Sequence, residues 1–170
     1  MTAEQTPGVD LDPRALRNCF GSFATGITVV TCRADDDTPQ GVTANSFSSV
    51  SLEPPLVQWS LAKTSSSLDA YLNAKTFAIN ILARSQEALS NHFARSERDL
   101  FETVEHGNGD NGAPLLPGSL AQIECSTEQI IDAGDHHLIL GRVTAARHDS
   151  GEPLLFFAGR YGALAEAPGA

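Results

Sequence analysis

Long apolar runs are missing from this 170-residue chain. None approaches the roughly 20 residues that a membrane-spanning helix needs. Positive charge is scarce: 11 Lys and Arg stand against 21 Asp and Glu, a net charge of −10. Such a chain suits neither nucleic acid nor an anionic membrane surface, so neither is expected as a partner. Cysteine is sparse as well. Cys19, Cys32 and Cys125 are odd in number, widely spaced, and form neither a Cys-x-x-Cys pair nor a zinc-ligand spacing. No disulfide framework is expected. Reduced, mostly buried thiols fit a cytoplasmic protein, and a catalytic cysteine stays open. Residues 1–9 lack the basic start and apolar core of a signal peptide. P-loop and Gly-x-Ser-x-Gly sequences do not occur, and the Gly-x-Gly-x-x-Gly spacing at Gly107–Gly112 falls in a loop rather than at a strand-to-helix turn, so any dinucleotide must bind without a Rossmann unit.

What is present fits one domain, large enough to bury roughly two thirds of its unfolded surface. A disordered lead is expected over 1–10, the folded domain over 11–162 and a flexible tail over 163–170. Asp12-Pro13 opens a helix, with Leu16, Cys19, Phe20 and Phe23 on one apolar face and Gly26 at its end. Ile27 to Cys32 is a strand, and the turn Asp35-Asp36-Asp37-Thr38-Pro39 returns the chain from Gln40 as a hairpin. Pro54-Pro55 breaks that strand before the next, Leu56 to Leu61, which contains Trp59. Ser66 and Asp69 resemble a capping box for a helix running to Ala74. A strand over Thr76–Leu82 precedes a helix over Ser85–Ala94 with Ala88, Leu89 and Phe93 on one side. Residues 103–118 form a long loop of the kind that often carries function. Strands follow at 119–131 and 137–145, joined by the turn Ala133-Gly134-Asp135, and a last one covers 153–157. Strands outnumber helices and mostly lack helical crossovers. This predicts a mainly β, antiparallel, barrel-like fold with added helices.

The segment Gly41–Leu56 carries five small hydroxyl residues, an amide and no run of charge. Thr43, Ser49 and Ser51 alternate with Val42, Val50 and Leu52 at strand period. A strand meant only to pack prefers branched and aromatic side chains. Short donors and acceptors suit a flat polar heterocycle laid along a sheet edge; a polar, solvent-facing strand is the alternative. Ser65-Ser66-Ser67 at a helix start offers unpaired N–H groups to a phosphate, with Lys63 adding charge nearby, or forms an ordinary serine cap. His136, at the mouth of a strand after Gly134-Asp135, can orient a substrate or shuttle a proton, or sit in a solvated turn. His136 and His137 point to opposite faces of a strand, so they do not make a joint metal site. Gly159-Arg160-Tyr161 supplies a cation and an aromatic for a planar ligand, or simply ends the fold at the surface. Arg95 and Ser96-Glu97-Arg98-Asp99 fit a solvated helix end from which an arginine can reach a phosphate.

These segments together resemble the flavin reductase-like family. The resemblance runs through Phe23–Thr31, Gly41–Leu56, Ser65–Leu68 and Phe77–Leu82. It continues through Gln86, Leu89, Phe93-Ala94, Gly112–Leu116, Gly134-Asp135-His136 and Gly159-Arg160-Tyr161. No one motif is decisive; their order and spacing are specific. The resemblance implies an antiparallel Greek-key split β-barrel that binds FMN or FAD and takes hydride from NADH or NADPH. It implies that Thr43, Ala44, Asn45 and Ser46 meet the flavin ring and ribityl chain. Ser60, Leu61 and Ala62 should lie against the isoalloxazine or its side chain, and Ser66 and Ser67 match the phosphate-binding turn. His136 matches the position that meets the nicotinamide nucleotide, with Tyr161 near it; Trp59 packs in the core or on the ring. The family's basic residue before a Phe is loosened here to Arg98-Asp99-Leu100-Phe101, which leaves a phosphate role for Arg98 open. A homodimer with flavin near the subunit interface is implied, as is a monooxygenase component that receives reduced flavin. The activity expected is that of an NAD(P)H:flavin oxidoreductase. A non-enzymatic flavin carrier or sensor and a split-barrel FMN-dependent oxidase are the rival readings.

Overall fold

The computed structural model describes residues 12–95 and 100–165. The lead expected over 1–10, the segment Ser96–Asp99 with Arg98, and the end of the tail lie outside the described residues. In chain order the elements begin with α1 (Pro13–Gly21), β1 (Thr25–Gly26), β2 (Thr28–Arg33) and β3 (Pro39–Ala44). Next come β4 (Ser48–Leu52), β5 (Pro55–Ala62), α2 (Leu68–Asn73) and β6 (Thr76–Ile81). A 3-10 turn, Arg84–Gln86, leads into α3 (Glu87–Phe93), followed by β7 (Gly107–Asn108) and β8 (Pro114–Leu115). The long hairpin β9 (Ala121–Ala133) and β10 (His136–His148) precedes β11 (Leu155–Phe157) and β12 (Arg160–Gly162).

Seven strands form one sheet in the order β3-β2-β6-β9-β10-β5-β4, and every pairing in it is antiparallel. A second sheet joins β1, β11 and β12, and β7 pairs with β8. In the large sheet β3 and β5 are far apart in strand order, yet the chain after β3 meets β5. Ser46 Oγ accepts the Ser60 N–H at 2.9 Å and donates to the Ser60 carbonyl at 3.2 Å. The sheet is therefore curled into an incompletely closed barrel, with a seam where its two ends approach.

Alternation along β5 explains one side of the core. Val57, Trp59 and Leu61 are buried while Gln58, Ser60 and Ala62 are only partly so, as the period of two requires. Trp59 is fully buried, edge-on to Tyr71 at 5.1 Å, which settles its place in the core. The barrel interior also holds Val30, Phe77, Ile79 and Ile139. A second cluster, with Val29, Leu82, Phe93 and Leu116, fills the space around α3. Adjacent residues Val29 and Val30 enter different clusters because β2 is covered on both faces. Cys32 and Cys125 lie in the barrel, and burial pushes both thiols up to about 12, so they stay protonated.

Several expectations change. The first helix stops at Gly21 rather than Gly26, because Thr25 and Gly26 are taken as a strand by Phe156 and Leu155. Asp12 caps it as expected, accepting from the Arg14 and Ala15 N–H groups at 3.1 and 3.2 Å. Its apolar face is not buried in this chain, and Cys19 is exposed rather than buried. The hydroxyl-rich segment is two strands broken at Asn45-Ser46-Phe47, with Val50 and Leu52 exposed on an edge strand. The Ser66 capping box does not form: Ser67 is the N-cap, and its hydroxyl goes to Gln40 Oε1 at 3.0 Å instead of the helix. On α3 the buried residues are Ser90 and Phe93, while Ala88 is exposed. The loop over 103–118 contains the β7–β8 hairpin, and β12 adds a strand after the one expected last.

Candidate functional site

The barrel seam holds a groove of about 210 Å³ lined by Val42–Ser46, Ser60–Ala62, Ser65 and His136. Strand alternation builds each wall. On β3, Thr43 turns to α3 and gives its hydroxyl to the Ser90 carbonyl at 2.6 Å. Ala44 turns inward, 8% exposed, and its carbonyl accepts the Thr28 hydroxyl at 2.8 Å. Thr43 and Ala44 can therefore offer backbone rather than side-chain groups to a ligand. β3 ends the sheet, so the backbone on its outer side has no ladder partner. On β5, Leu61 points into the core at 2% exposure and contributes backbone, while Ser60 and Ala62 face the other way. Side chains of one to three heavy atoms leave room for a flat ring against both strands.

His136 reaches the groove because β10 pairs it with Ala62 of β5. Its Nδ1 lies 2.7 Å from Asp135 Oδ1. A carboxylate can only accept, so Nδ1 carries the hydrogen and Nε2 is left as the free polar atom of the ring. The His136 hydrogen bond, then its charge, holds the exposed Asp135 carboxyl below the ordinary carboxylate value. This hold is present at neutral pH and is lost only as pH falls through that lowered value.

The Ser65–Ser67 turn is divided. Ser65 lines the groove and its Oγ accepts the Ser67 N–H at 3.3 Å. Ser66 is exposed at the rim, and Ser67 is engaged with Gln40. Lys63 is not free to serve this turn: its Nζ binds both oxygens of Asp132 at 2.8 and 2.9 Å. Tyr161 does not meet His136 within the chain. It lines a separate cavity of about 600 Å³ with Ala24, Leu155, Phe157 and Arg160. Sequence reasoning placed Ser65 in the phosphate turn rather than in the groove wall, and it did not single out Val42, which adjoins Thr43. It missed Ser90 altogether, because helix periodicity pointed to Ala88 and Leu89.

Fold and groove thus define a small split barrel with a groove open at its seam. Residues 20–165 match the flavin reductase-like domain family, and the chain belongs to that family. It is 46% identical over 149 residues to the NADH-dependent FMN reductase SmoA of Agrobacterium fabrum, covering 88% of this chain and 84% of the relative. It is 50% identical over 130 residues to the reductase component of a flavin-dependent trigonelline monooxygenase from Acinetobacter baylyi. That match covers 76% of this chain and 42% of the relative, so the chain spans under half of that protein's length. Among solved structures, the NADH:FAD oxidoreductase SgcE6 of Streptomyces globisporus superposes with a TM-score of 0.86 at 38% identity, over 95% of this chain and all of the other.

Proposed function

We propose that the chain is an NAD(P)H-dependent flavin reductase that reduces FMN or FAD and supplies it to a partner monooxygenase. The observation that carries this reading is the convergence of Thr43–Ser46, Ser60–Ala62 and His136 on one groove from three strands. Supporting it, a relative of 46% identity is an NADH-dependent FMN reductase, another is a monooxygenase reductase component, and SgcE6 has been solved with NAD and FAD fragments.

The groove fits a flavin's ring edge: small walls, open β3 backbone and hydroxyls at Ser46, Ser60 and Ser65. When bound, the flavin accepts a hydride from the reduced nicotinamide. The chain's own residues bind and orient. Backbone groups of 43–46 hold the polar edge of the ring, each bond contributing about 1 kcal/mol net. Ser66 and Ser67 stand at the phosphate end. His136, fixed through Asp135, presents Nε2 to the nicotinamide nucleotide. Holding two rings face to face lowers the entropic part of the barrier and needs no side-chain base. Many modest contacts rather than one strong one let the product leave for a partner. Oxidation of NADH or NADPH on adding FMN or FAD tests the reading; a chain that binds flavin without turnover is a carrier instead. His136→Ala is expected to raise the nicotinamide KM about three- to tenfold with flavin affinity nearly unchanged. Steady-state kinetics against both ligands check this, and unaltered kinetics would reject the role.

A homodimer belongs to the same reading. At about 210 Å³ the groove is smaller than the roughly 300 Å³ at which small-molecule sites begin, which is consistent with a site whose walls are shared with a second chain. An apolar face is also uncovered. Phe20, Phe23 and Phe157 are 70%, 78% and 53% exposed. They gather where α1 meets the β11–β12 turn through the Ala158 N–H to Gly21 carbonyl bond of 2.8 Å. Exposed apolar patches of this kind mark protein contacts. Light scattering should give a dimer that Phe20→Ser with Phe23→Ser converts toward monomer; a monomeric wild type would refute it. No helix among the described residues is long and apolar enough to cross a membrane. The cytoplasmic placement rests on three free cysteines.

A further inference from the structure

Ser90 is fully buried in α3 and bonded on two sides. Its carbonyl accepts the Thr43 hydroxyl at 2.6 Å, and its own hydroxyl lies 2.8 Å from that of Tyr161. Helical serines commonly return their proton to the carbonyl four residues back; this one meets a residue of β12. The direction of the bond follows from its neighbour. Tyr161 Oη donates to Asn91 Oδ1 at 3.2 Å, and a tyrosine has one proton to give. Ser90 therefore donates to Tyr161, and Tyr161 to Asn91. The Tyr161 ring is held at its tip by this chain and on its flank by Phe156, edge-on at 5.6 Å.

The helix that carries Ser90 is itself seated on β3. At Gly41 a Cβ would lie 2.5 Å from Phe93 Cε1, so the ring of Phe93 packs directly on the β3 backbone. α3 is thus the common support of a groove wall at Thr43 and of Tyr161 in β12. We propose that Ser90 is a positioning residue for the reductase reaction: it fixes Tyr161, and with it the cavity that Tyr161 lines apart from the His136 groove, as a second contact for the nicotinamide nucleotide at a set place relative to the flavin wall. The proposal rests on the reductase reading above. The two legs are separable: removing the Ser90 hydroxyl cuts the Tyr161 leg and leaves the carbonyl that holds Thr43.

The test measures KM for NADH or NADPH and for FMN, with melting temperatures, in Ser90→Ala, Tyr161→Phe, their double variant and Asn91→Ala. Ser90→Ala is expected to raise the nicotinamide KM about five- to tenfold, the worth of one hydrogen bond, with the flavin KM within about twofold. The double variant should be no worse than the more affected single, because both break the same bond. Asn91→Ala, at an exposed position, should shift the nicotinamide KM in the same direction by less, and keeps the test alive if Ser90→Ala fails to fold. Additive single effects, equal rises in both KM values, or a lowered melting temperature with unchanged KM would each overturn the role. A wild-type chain that oxidises neither nicotinamide with any flavin refutes the reductase reading itself; an active wild type with indifferent variants refutes Ser90 alone.

Discussion

Replacing Ser66 and Ser67 together by Asp is expected to weaken FMN and FAD binding about thirtyfold while leaving riboflavin binding within about twofold. A pair of like charges near 4 Å costs about 1 kcal/mol in water-like surroundings, and two such pairs against a phosphate give about 2 kcal/mol. Ser66 is exposed, so the new carboxylate there enters without a packing cost. Ser67 gives up only its bond to Gln40. Riboflavin lacks the phosphate and serves as the internal control. Fluorescence titration of the three flavins measures the difference. Equal losses for all three would mean that the turn had been deformed, and unchanged FMN affinity would move the phosphate elsewhere.

The largest stability effect is expected at Glu124. This carboxylate is 1% exposed on β9, yet it is fully engaged. Oε2 accepts the Asn111 N–H at 2.9 Å and Oε1 accepts from Arg147 at 3.0 Å. Gly109 makes the close approach possible, since a Cβ there would lie 2.5 Å from Oε2. Glu124 thereby pins the 107–115 segment to the barrel. Glu124→Ala removes a charge-assisted bond, strands a backbone N–H and leaves a cavity, about 3 kcal/mol together. For a domain of this size the melting temperature should fall by roughly 6–12 °C. Glu124→Gln keeps an acceptor for Asn111 and should cost about 1 kcal/mol. Thermal and urea unfolding of the two variants decide it; a loss under about 0.5 kcal/mol for Glu124→Ala would show that the segment is held otherwise.

The parts of the site that were legible in the sequence are those whose signal is local. Thr43–Ser46 and Ser60–Ala62 stand out by small polar residues in strand context, and His136 by its turn. What was not legible depends on partners distant in sequence. Lys63 looked free beside the serine turn, but its carboxylate partner, Asp132, lies 69 residues on. Helical spacing put Phe20 and Phe23 on one apolar face, but α1 ends at Gly21 before Phe23, and both rings are left exposed in this chain. The strands β1 and β12 have two and three residues, too few for any period to show, and exist because β11 gives them ladder partners. The Ser66 capping box does not form because the helix starts at Ser67, whose hydroxyl goes to Gln40 on β3 rather than to the helix. At Lys63, β1, β12 and the serine turn a tertiary contact decides the outcome, and at the serine turn it outweighs a capping preference of about 1 kcal/mol.

The central claim places a flavin ring in the seam between the ends of β3 and β5. Titrating FMN into isotope-labelled protein and following backbone amide shifts tests it most directly. Shifts saturating at Thr43–Ser46, Ser60–Ala62 and Ser65–Ser67 are predicted. A further surface cavity lies around Ser85, Ser119 and Gly151, and saturating shifts confined to it, with the seam unmoved, would contradict the account.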